Sequence, residues 1–369
     1  MKILIINGAN LDMLGTREPD VYGTNTLDDL ELKIRTYAEN REVEVEFFQS
    51  NLEGEIIEKI HSAPNEGFNG IVINPAAYTH YSIAIADSLA CCPIPAVEVH
   101  ISNIHGREHY RHKSVTAKNC VGQISGFGFE SYNLAINALI KNNMIKKPDE
   151  IAKIRAAAEI GNKGYEYIKS IVKPGISELD IAKKLEEFML SQGASGLSFD
   201  TIVACGSNSA NPHAQPSRDR IVADNDMVMI DFGCVYQGYC SDMTRMIKVG
   251  ELNDTQRKIW DIVLNAQQLA IKAIRPGVRA KDIDKIARDY IAEAGYGEQF
   301  IHTTGHGVGT VVHEEPRVSK VSDDILQSGM VITVEPGIYI KGEGGARIED
   351  LILVTDDGYE VLSSGSREY

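Results

Sequence analysis

Short apolar runs alternate with helix-length segments through the first 141 residues of this 369-residue chain. The runs are KILIIN, EVEVEFFQS, GIVINP, IPAVEVHIS and VGQISGFG, and a helix-length segment follows each of them except the last. Such alternation predicts a parallel sheet with helices on both faces, because a parallel crossover needs a long connection. Ligands are then expected beyond the carboxyl ends of the strands. The segment ESYNLAINALIK closes the unit as a helix.

The pattern changes at residues 142–150, whose sequence is NNMIKKPDE. Its proline disfavours helix at Lys147, so we place the boundary in this segment. Two amphipathic helices follow, EIAKIRAAAEIGNKGYEYIKSIV and SELDIAKKLEEFMLSQG, and then strands joined by Gly-rich turns. We therefore predict a second, α+β domain at 148–369, after a first domain at 1–143.

Composition narrows the compartment and the partners. The net charge of −15 divides about equally between the halves, which argues against nucleic acid and anionic membranes as partners. The six cysteines show no CxxC pair or framework spacing, as is typical of reduced, buried thiols. The N-terminus lacks the features of a signal peptide, and no apolar run approaches the ~20 residues of a membrane span. We expect a cytoplasmic protein.

Acidic residues stand at the ends of apolar runs in the second half. Asp231 ends MVMID, and Asp242 lies in YCSDMTRMIKV, which a turn joins to the first run. A hairpin would bring these two carboxylates face to face. A second hairpin, with the turn KGEGG, would pair Glu335 in MVITVEPGIYI with Glu349 in ARIEDLILV. His306 is expected on a Gly-rich loop, TTGHGVG.

These side chains predict a metal centre. Four buried carboxylates would be nearly neutral with two divalent cations, whereas each unpaired buried charge is costly. Oxygen-rich ligation with one imidazole suits Mn first, with Co or Zn as alternatives. Paired metals commonly activate water for attack on a carbonyl. Singly, an Asp at a strand end or a Glu-Pro pair is an ordinary turn feature, so only the combination supports the prediction.

Residues 148–369 resemble the pita-bread catalytic domain of Xaa-Pro dipeptidases and aminopeptidases. The motifs that carry the resemblance are GSNSANPHAQPSRDR, IDFGCVYQGYCSDMTR, HTTGHGVGTVVHEEP, TVEPGIYI and GGARIED. The resemblance implies dinuclear-metal hydrolysis of the bond before proline, with these ligands: Asp231, Asp242, His306, Glu335 and Glu349.

The same resemblance implies roles for the surrounding residues. Glu335 would also shuttle the proton, and His213 and His313 would face the substrate. His302 or His313 would stabilise the oxyanion, and Arg347 would support the ligands and the substrate from behind. The family's usual N-terminal domain is absent, which leaves the preferred peptide length open. Alternatives are a non-catalytic peptide-binding module, methionine aminopeptidase and creatinase-like hydrolysis.

In the first half, the run IPAVEVHISN places Glu98, His100 and Ser102 on one strand face. A carboxylate beside an imidazole orients and charges it, which suits a general acid, although a strand histidine can also be purely structural. Arg17 near Tyr22 would help that phenol to ionise and act as a base.

Two further motifs give weaker signals. The histidines at 105, 109 and 112 lack an accompanying carboxylate or cysteine at ligand spacing. The GFG at 126–128 lacks the rest of a nucleotide-binding fingerprint.

Residues 1–141 resemble type II 3-dehydroquinate dehydratase. The matching motifs are NGANLDMLGTREPDVYG, QSNLEGEIIEKIH, NPAAYTHYSIAIADSL, VEVHISNIHGREHYRH and GQISGFG. The resemblance implies a flavodoxin-like fold, no cofactor, and reversible dehydration of 3-dehydroquinate in the shikimate pathway. Ala9 and Ser131 depart from the family pattern, and we expect them to loosen the lid-bearing loop.

The residue roles implied by this second resemblance are specific. Tyr22, ionised with help from Arg17, would abstract the proton, and Asn10 would hold a water that stabilises the enolate. His100, oriented by Glu98, would protonate the departing hydroxyl. The substrate would be gripped by Asn74, His80, Ile101, Ser102 and Arg111, with Asp87 reaching in from a neighbouring subunit.

The combined prediction is a bifunctional enzyme that acts on 3-dehydroquinate and on proline-containing peptides. Type II dehydratases form trimers and dodecamers, and proline peptidases dimerise, so the resemblances also imply a large homo-oligomer.

Overall fold

The computed structural model describes residues 1–16, 24–41 and 43–367. It divides into two compact units, Met1–Asn142 and Asn143–Tyr369. None of the helices in the described residues combines the length and apolar character that a membrane span requires.

The N-terminal unit is built on a parallel sheet with the strand order β2-β1-β3-β4-β5. The strands are β1 (Lys2–Asn7), β2 (Glu44–Gln49), β3 (Gly70–Asn74), β4 (Ala96–His100) and β5 (Gly122–Ser125). The helices are α1 (Leu27–Glu39), α2 (Glu53–Ser62), α3 (Ile83–Cys91) and α4 (Glu130–Met144). This order and the parallel pairing confirm the predicted flavodoxin-like α/β fold.

The alternation of side chains along β1 explains why helices cover both faces of the sheet. Ile3 and Ile5 pack in one buried cluster with residues of α1 and α4. Leu4 and Ile6 pack in the opposite cluster with residues of α2 and α3. Successive strand side chains point to opposite faces, so a fully apolar strand needs cover on both sides.

The C-terminal unit has four helices and several small antiparallel sheets in its described part. The helices are α5 (Pro148–Lys169), α6 (Glu178–Ser191), α7 (Asp254–Lys272) and α8 (Ala280–Glu293). Pro148 is the first residue of α5, a position where its missing N–H costs nothing. The Ser177 side chain accepts the Asp180 N–H and so caps the start of α6.

The strands of the first half of this unit form two three-stranded sheets, with orders β10-β9-β6 and β11-β8-β7. They are β6 (Gly196–Leu197), β7 (Ile202–Cys205), β8 (Asp226–Phe232), β9 (Cys234–Tyr236), β10 (Tyr239–Cys240) and β11 (Met243–Val249). The predicted single run YCSDMTRMIKV is therefore two strands, and Asp242 lies at the break between them.

The later strands form a five-stranded sheet, β13-β12-β14-β17-β18, and a hairpin of β15 with β16. They are β12 (Gly305–Gly307), β13 (Glu314–Val318), β14 (Val331–Val334), β15 (Gly337–Ile340), β16 (Gly344–Arg347), β17 (Asp350–Val354) and β18 (Tyr359–Val361). The predicted second hairpin is also interrupted on both arms, because Glu335 and Glu349 stand between consecutive strands.

Candidate active sites

The predicted metal ligands lie on separate strands of the C-terminal unit or at the breaks between strands. Asp231 lies within β8, and its partner in register is Thr244, not Asp242 as the simple hairpin predicted. His306 is the middle residue of the short strand β12, which corrects the expectation of a loop. Strand breaks free the backbone from regular pairing, so the carboxylates that stand there can turn toward a common point.

The distances show which of these side chains the fold brings together. His306 Nε2 lies 3.6 Å from Asp242 Oδ2 and 3.3 Å from Glu335 Oε1. Asp242, His306 and Glu349 each offer a ligand atom, and these atoms all lie within 4.8 Å of one another. This trio is the one such group of His, Cys, Asp or Glu side chains in residues 1–16, 24–41 and 43–367.

Three carboxylate oxygens of the predicted ligands show whether a cation would fit this site. Asp231 Oδ1, Asp242 Oδ1 and Glu349 Oε1 are buried and have no hydrogen-bond partner among the described residues. A buried carboxylate oxygen without a partner is costly and uncommon in folded proteins. Hard divalent cations prefer such oxygen ligands. The residues present therefore fit a metal centre.

The pKa shifts in the cluster point the same way. Burial, followed by the charge of Glu349, raises the pKa of Asp242 well above its usual value. Burial, followed by the charges of Glu335 and Asp231, does the same for Glu349. Burial also works to raise the pKa of Glu335, but the hydrogen bond and the charge of His306 outweigh it and lower that pKa to about 2. The cluster lacks enough positive charge to keep every carboxylate ionised, which divalent cations would supply.

Arg347 is a buried residue that contacts the carboxylate of Asp231. It is 3% exposed, and its Nη2 donates to Asp231 Oδ2 at 2.5 Å. Its other nitrogens donate to Tyr339 Oη at 2.8 Å, Thr244 Oγ1 at 3.1 Å and the Pro212 carbonyl at 3.1 Å. Arg347 thus bonds directly to one of the predicted ligands, Asp231.

Tyr339 and Thr244 are members of the site that sequence reasoning missed. Tyr339 Oη lies 2.9 Å from His302 Nε2, so a chain of contacts runs from His302 through Arg347 to Asp231. Burial raises the pKa of Tyr339 to about 12, so it remains a neutral donor. Its partner in register on β16 is Gly345, where a Cβ would lie 2.7 Å from the tyrosine ring. The glycines of GGAR, in β16, were the sequence feature that could have indicated a large side chain on the neighbouring strand β15.

The three histidines that the sequence predicts around the substrate differ in their surroundings. His213 is exposed on the segment after β7, where its N–H donates to Asn211 Oδ1 at 3.1 Å. His313 is exposed, and its ring centroid lies 4.3 Å from that of His306. His302 is partly buried, and its Nδ1 lies 2.8 Å from the Thr303 carbonyl. Burial lowers the pKa of His302, which favours its neutral form.

The N-terminal unit has a pocket beyond the carboxyl ends of its central strands, as the topology predicted. Predicted site residues in its lining are Asn10, Asn74, His80, His100, Ile101, Ser102 and Arg111. Arg107 also lines it and was missed. Asp87 is exposed on α3 and is not part of this lining. Arg17 and Tyr22 lie outside the described residues.

Glu98 and His100 form a buried pair at the end of β4. His100 Nε2 lies 2.8 Å from Glu98 Oε1, and Glu98 is 0% exposed. The carboxylate also accepts from Gln123 Nε2 at 2.7 Å and from the hydroxyls of Ser114 and Thr116. Burial alone would raise the pKa of Glu98, but the bond to His100 and these hydroxyls lower it. Glu98 is thus an anion that orients the imidazole.

Ser131, which departs from the family pattern, lies in the first turn of α4. Its buried hydroxyl donates to the His100 carbonyl at 3.0 Å and accepts the Phe127 N–H at 3.3 Å. The serine therefore ties the 126–128 turn to the end of β4, and its expected effect on the lid-bearing loop stays a prediction.

The weak metal signal of the histidines at 105, 109 and 112 can be judged by their geometry. The rings of His109 and His112 have centroids 5.4 Å apart, and those of His105 and His112 are 5.9 Å apart. This trio is not among the groups with metal-ligand spacing in the part of the chain that the structure describes. Its rings contact one another without converging on one point.

Two protein families match separate parts of the chain. The model of metallopeptidase family M24 matches residues 152–356, and that of dehydroquinase class II matches residues 1–140. An uncharacterized peptidase from Staphylococcus aureus (strain bovine RF122) is 47% identical over 240 residues, which is 65% of this chain and 68% of the relative.

Solved structures extend the likeness to most of the chain. The Xaa-Pro dipeptidase from Bacillus anthracis is 34% identical, with a TM-score of 0.64 over 91% of this chain and 83% of that one. The prolidase from Pyrococcus furiosus is also 34% identical, with a TM-score of 0.63 over 91% of this chain and 86% of that one. The chain therefore belongs to metallopeptidase family M24, and a dehydroquinase class II domain precedes its peptidase domain in the same polypeptide.

Proposed function

We propose that the chain is a bifunctional enzyme that hydrolyses Xaa-Pro peptide bonds in one domain and reversibly dehydrates 3-dehydroquinate in the other. The observation that carries the first activity is the buried set of carboxylates with unpartnered oxygens around His306. The observation that carries the second is the Glu98–His100 pair at the rim of the N-terminal pocket.

In the peptidase domain, the proposed metal ligands are Asp231, Asp242, His306, Glu335 and Glu349. Two divalent cations, Mn first and Co or Zn as alternatives, would polarise the scissile carbonyl and promote ionisation of the attacking water. Arg347 holds Asp231 in orientation through its 2.5 Å contact. Glu335, 3.3 Å from His306 Nε2, takes the proton of the attacking water and passes it to the departing proline nitrogen.

Support for the substrate histidines comes from their exposure. His213 and His313 are exposed, so both can meet a bound peptide. His302 or His313 stabilises the oxyanion, and His302 would have to give up a contact of one of its two ring nitrogens with Tyr339 or Thr303 to do so. The similarity to solved structures of an Xaa-Pro dipeptidase and a prolidase supports cleavage before proline.

In the dehydratase domain, Tyr22, helped by Arg17, removes the proton next to the ketone. A water held by Asn10 stabilises the resulting enolate. His100, oriented by Glu98, then protonates the hydroxyl that leaves as water, so the proton count balances. Asn74, His80, Ile101, Ser102 and Arg111 hold the substrate, and Asp87 acts from a neighbouring subunit of a cytoplasmic homo-oligomer.

The test uses one preparation and two assays. We expect the conjugated enone absorbance of 3-dehydroshikimate to appear with 3-dehydroquinate, and proline release from Xaa-Pro dipeptides with Mn present. His100→Ala should abolish only the first, and Asp242→Asn only the second. Cleavage of Met-Xaa but not Xaa-Pro peptides would show that the peptidase domain has methionine aminopeptidase specificity instead. A folded, metal-loaded chain that is inactive in both assays would overturn the proposal.

Oligomerisation is tested separately. Light scattering should give a mass several times that of one chain. A monomer that nonetheless dehydrates 3-dehydroquinate would exclude the proposed role of Asp87 from a neighbouring subunit.

A further inference from the structure

Lys146 is a buried lysine in the short segment between α4 and α5. It is 6% exposed, whereas the adjacent Lys147 is exposed. The segment is held by its backbone: Ile145 forms an antiparallel bridge with Met330, and the Lys146 N–H donates to the Gly329 carbonyl at 2.8 Å. The side chain of Lys146 therefore starts from a fixed point and turns inward.

The Lys146 ammonium pairs with Glu314. Its Nζ lies 2.5 Å from Glu314 Oε2, and the two side chains are 4% and 9% exposed. The ammonium also donates to the Asn143 carbonyl. Because a buried charge without a partner is strongly destabilising, the position of each of these two groups depends on the other.

Glu314 in turn holds the turn that precedes it. Its Oε1 accepts the Val311 N–H at 3.3 Å and the Thr310 hydroxyl at 3.4 Å. The carboxylate also packs on Gly309, where a Cβ would lie 2.5 Å from both of its oxygens. The turn 309–313 thus wraps around this carboxylate.

The turn ends at His313, which directly precedes Glu314. The His313 ring meets the His306 ring edge to face, with centroids 4.3 Å apart. His313 is exposed, and its backbone continues directly from the turn into Glu314. A displacement of the turn or of Glu314 would therefore move the backbone that carries His313.

We propose that Lys146 is a positioning residue of the peptidase site: through Glu314 it fixes the turn 309–313 and so sets His313 beside His306. The role of His313 in this inference rests on the proposed peptidase function. The contacts from Lys146 through Glu314 to the turn 309–313 do not depend on that function. The segment that joins the two domains in sequence would thus set the geometry of a substrate-binding turn.

The experiment compares Lys146→Met with the matched exposed control Lys147→Met. Without the Lys146 ammonium, Glu314 loses its counterion and the turn loosens, so amide hydrogen exchange at 309–313 should accelerate in the metal-free protein. We expect kcat for an Xaa-Pro dipeptide to fall by about 10- to 100-fold, since small displacements of a catalytic group cost that much. The control should change neither quantity.

A second readout separates positioning from general damage. If Lys146 acts through His313, adding Lys146→Met to His313→Ala should lower kcat by no more than about 2-fold, because the two losses share one cause. Equal losses in both backgrounds, or unchanged exchange at 309–313 in Lys146→Met, would overturn the proposal.

A third variant covers a failure to fold. Combining Lys146→Met with Glu314→Gln removes both charges, so no lone charge stays buried and the chain should fold. Faster exchange at 309–313 is again expected, and unchanged exchange again refutes the inference. The hydrogen-exchange measurement needs no substrate. A wild-type chain that cleaves no Xaa-Pro peptide would therefore refute the proposed function, while the exchange rates at 309–313 would still decide whether Lys146 holds the turn.

Discussion

At the scale of single residues, the two domains stabilise buried carboxylates in opposite ways. Glu98 has donors from His100, Gln123, Ser114 and Thr116, and its pKa is lowered. Asp242 has one buried oxygen without a partner in the described residues, and its pKa is raised. The first arrangement stabilises an anion by itself, whereas the second requires a cation.

Glu98→Gln tests the first arrangement. We expect the variant to lose roughly 1–3 kcal/mol of stability at neutral pH, because buried donors lose their charged acceptor. Since the folded pKa of Glu98 lies below its usual 4.5, this contribution is fully present above 4.5 and is lost as pH falls through the folded pKa.

The measurement is the free energy of unfolding of the N-terminal domain in urea at neutral and acidic pH. The difference between wild type and variant should shrink below pH 4.5. The exposed Glu58→Gln serves as the control. A difference that stays constant across this range would contradict an ionised Glu98.

Asp242→Asn tests the second arrangement. Manganese should stabilise the wild type by roughly 2.7 kcal/mol at a free concentration of about 100 times Kd, since it binds only the folded chain. The variant lacks one carboxylate ligand and should show a much smaller increase in unfolding temperature. The measurement is thermal unfolding together with metal content, with the exposed Asp282→Asn as control. An equal increase in Asp242→Asn would mean that the ion binds elsewhere.

At the scale of elements, the periodicity of the sequence predicted the strands of the first domain and the first two helices of the second. It did not predict the breaks at Asp242, Glu335 and Glu349. A break depends on which strand lies alongside, and the apolar pattern continues across it unchanged. The burial of Glu178 in the first turn of α6 was not predicted either. Its side chain is 0% exposed, and nothing in the apolar pattern of the sequence indicates that a glutamate is buried there.

Glu178 holds the segment that carries His213. Its carboxylate accepts from the Cys205 N–H at 2.8 Å, Asn208 Nδ2 at 2.9 Å and the Ser217 N–H at 3.3 Å. Glu178→Gln should therefore raise KM for Xaa-Pro dipeptides about 10-fold, since each buried donor left unpaired costs roughly 1–3 kcal/mol. Steady-state kinetics checks this, with the exposed Glu187→Gln on the same helix as control. Unchanged KM in a folded variant would show that the segment is held by other contacts.

At the scale of the whole molecule, each unit has its own buried clusters. The chain's single tryptophan, Trp260, is fully buried in a cluster of the C-terminal unit. Its fluorescence therefore reports the unfolding of the peptidase domain and not that of the dehydratase domain.

Manganese should thus act on one domain. We expect it to raise the unfolding temperature reported by Trp260 fluorescence, and to leave the temperature at which dehydration activity is lost within about 2 °C, because mass action stabilises only the unit that binds the ion. A parallel increase in both temperatures would show that the two units unfold together.

The sequence by itself determined the two fold classes, and it also predicted an approximate boundary and a set of candidate ligands. These follow from hydrophobic periodicity, turn residues and charge count, all of which are local. The tertiary structure alone decided that Thr244 and not Asp242 faces Asp231, that Tyr339 links His302 to Arg347, and that Lys146 meets Glu314 across 168 positions of sequence. Contacts between such distant residues depend on how strands and turns pack together, and no short stretch of sequence contains that information.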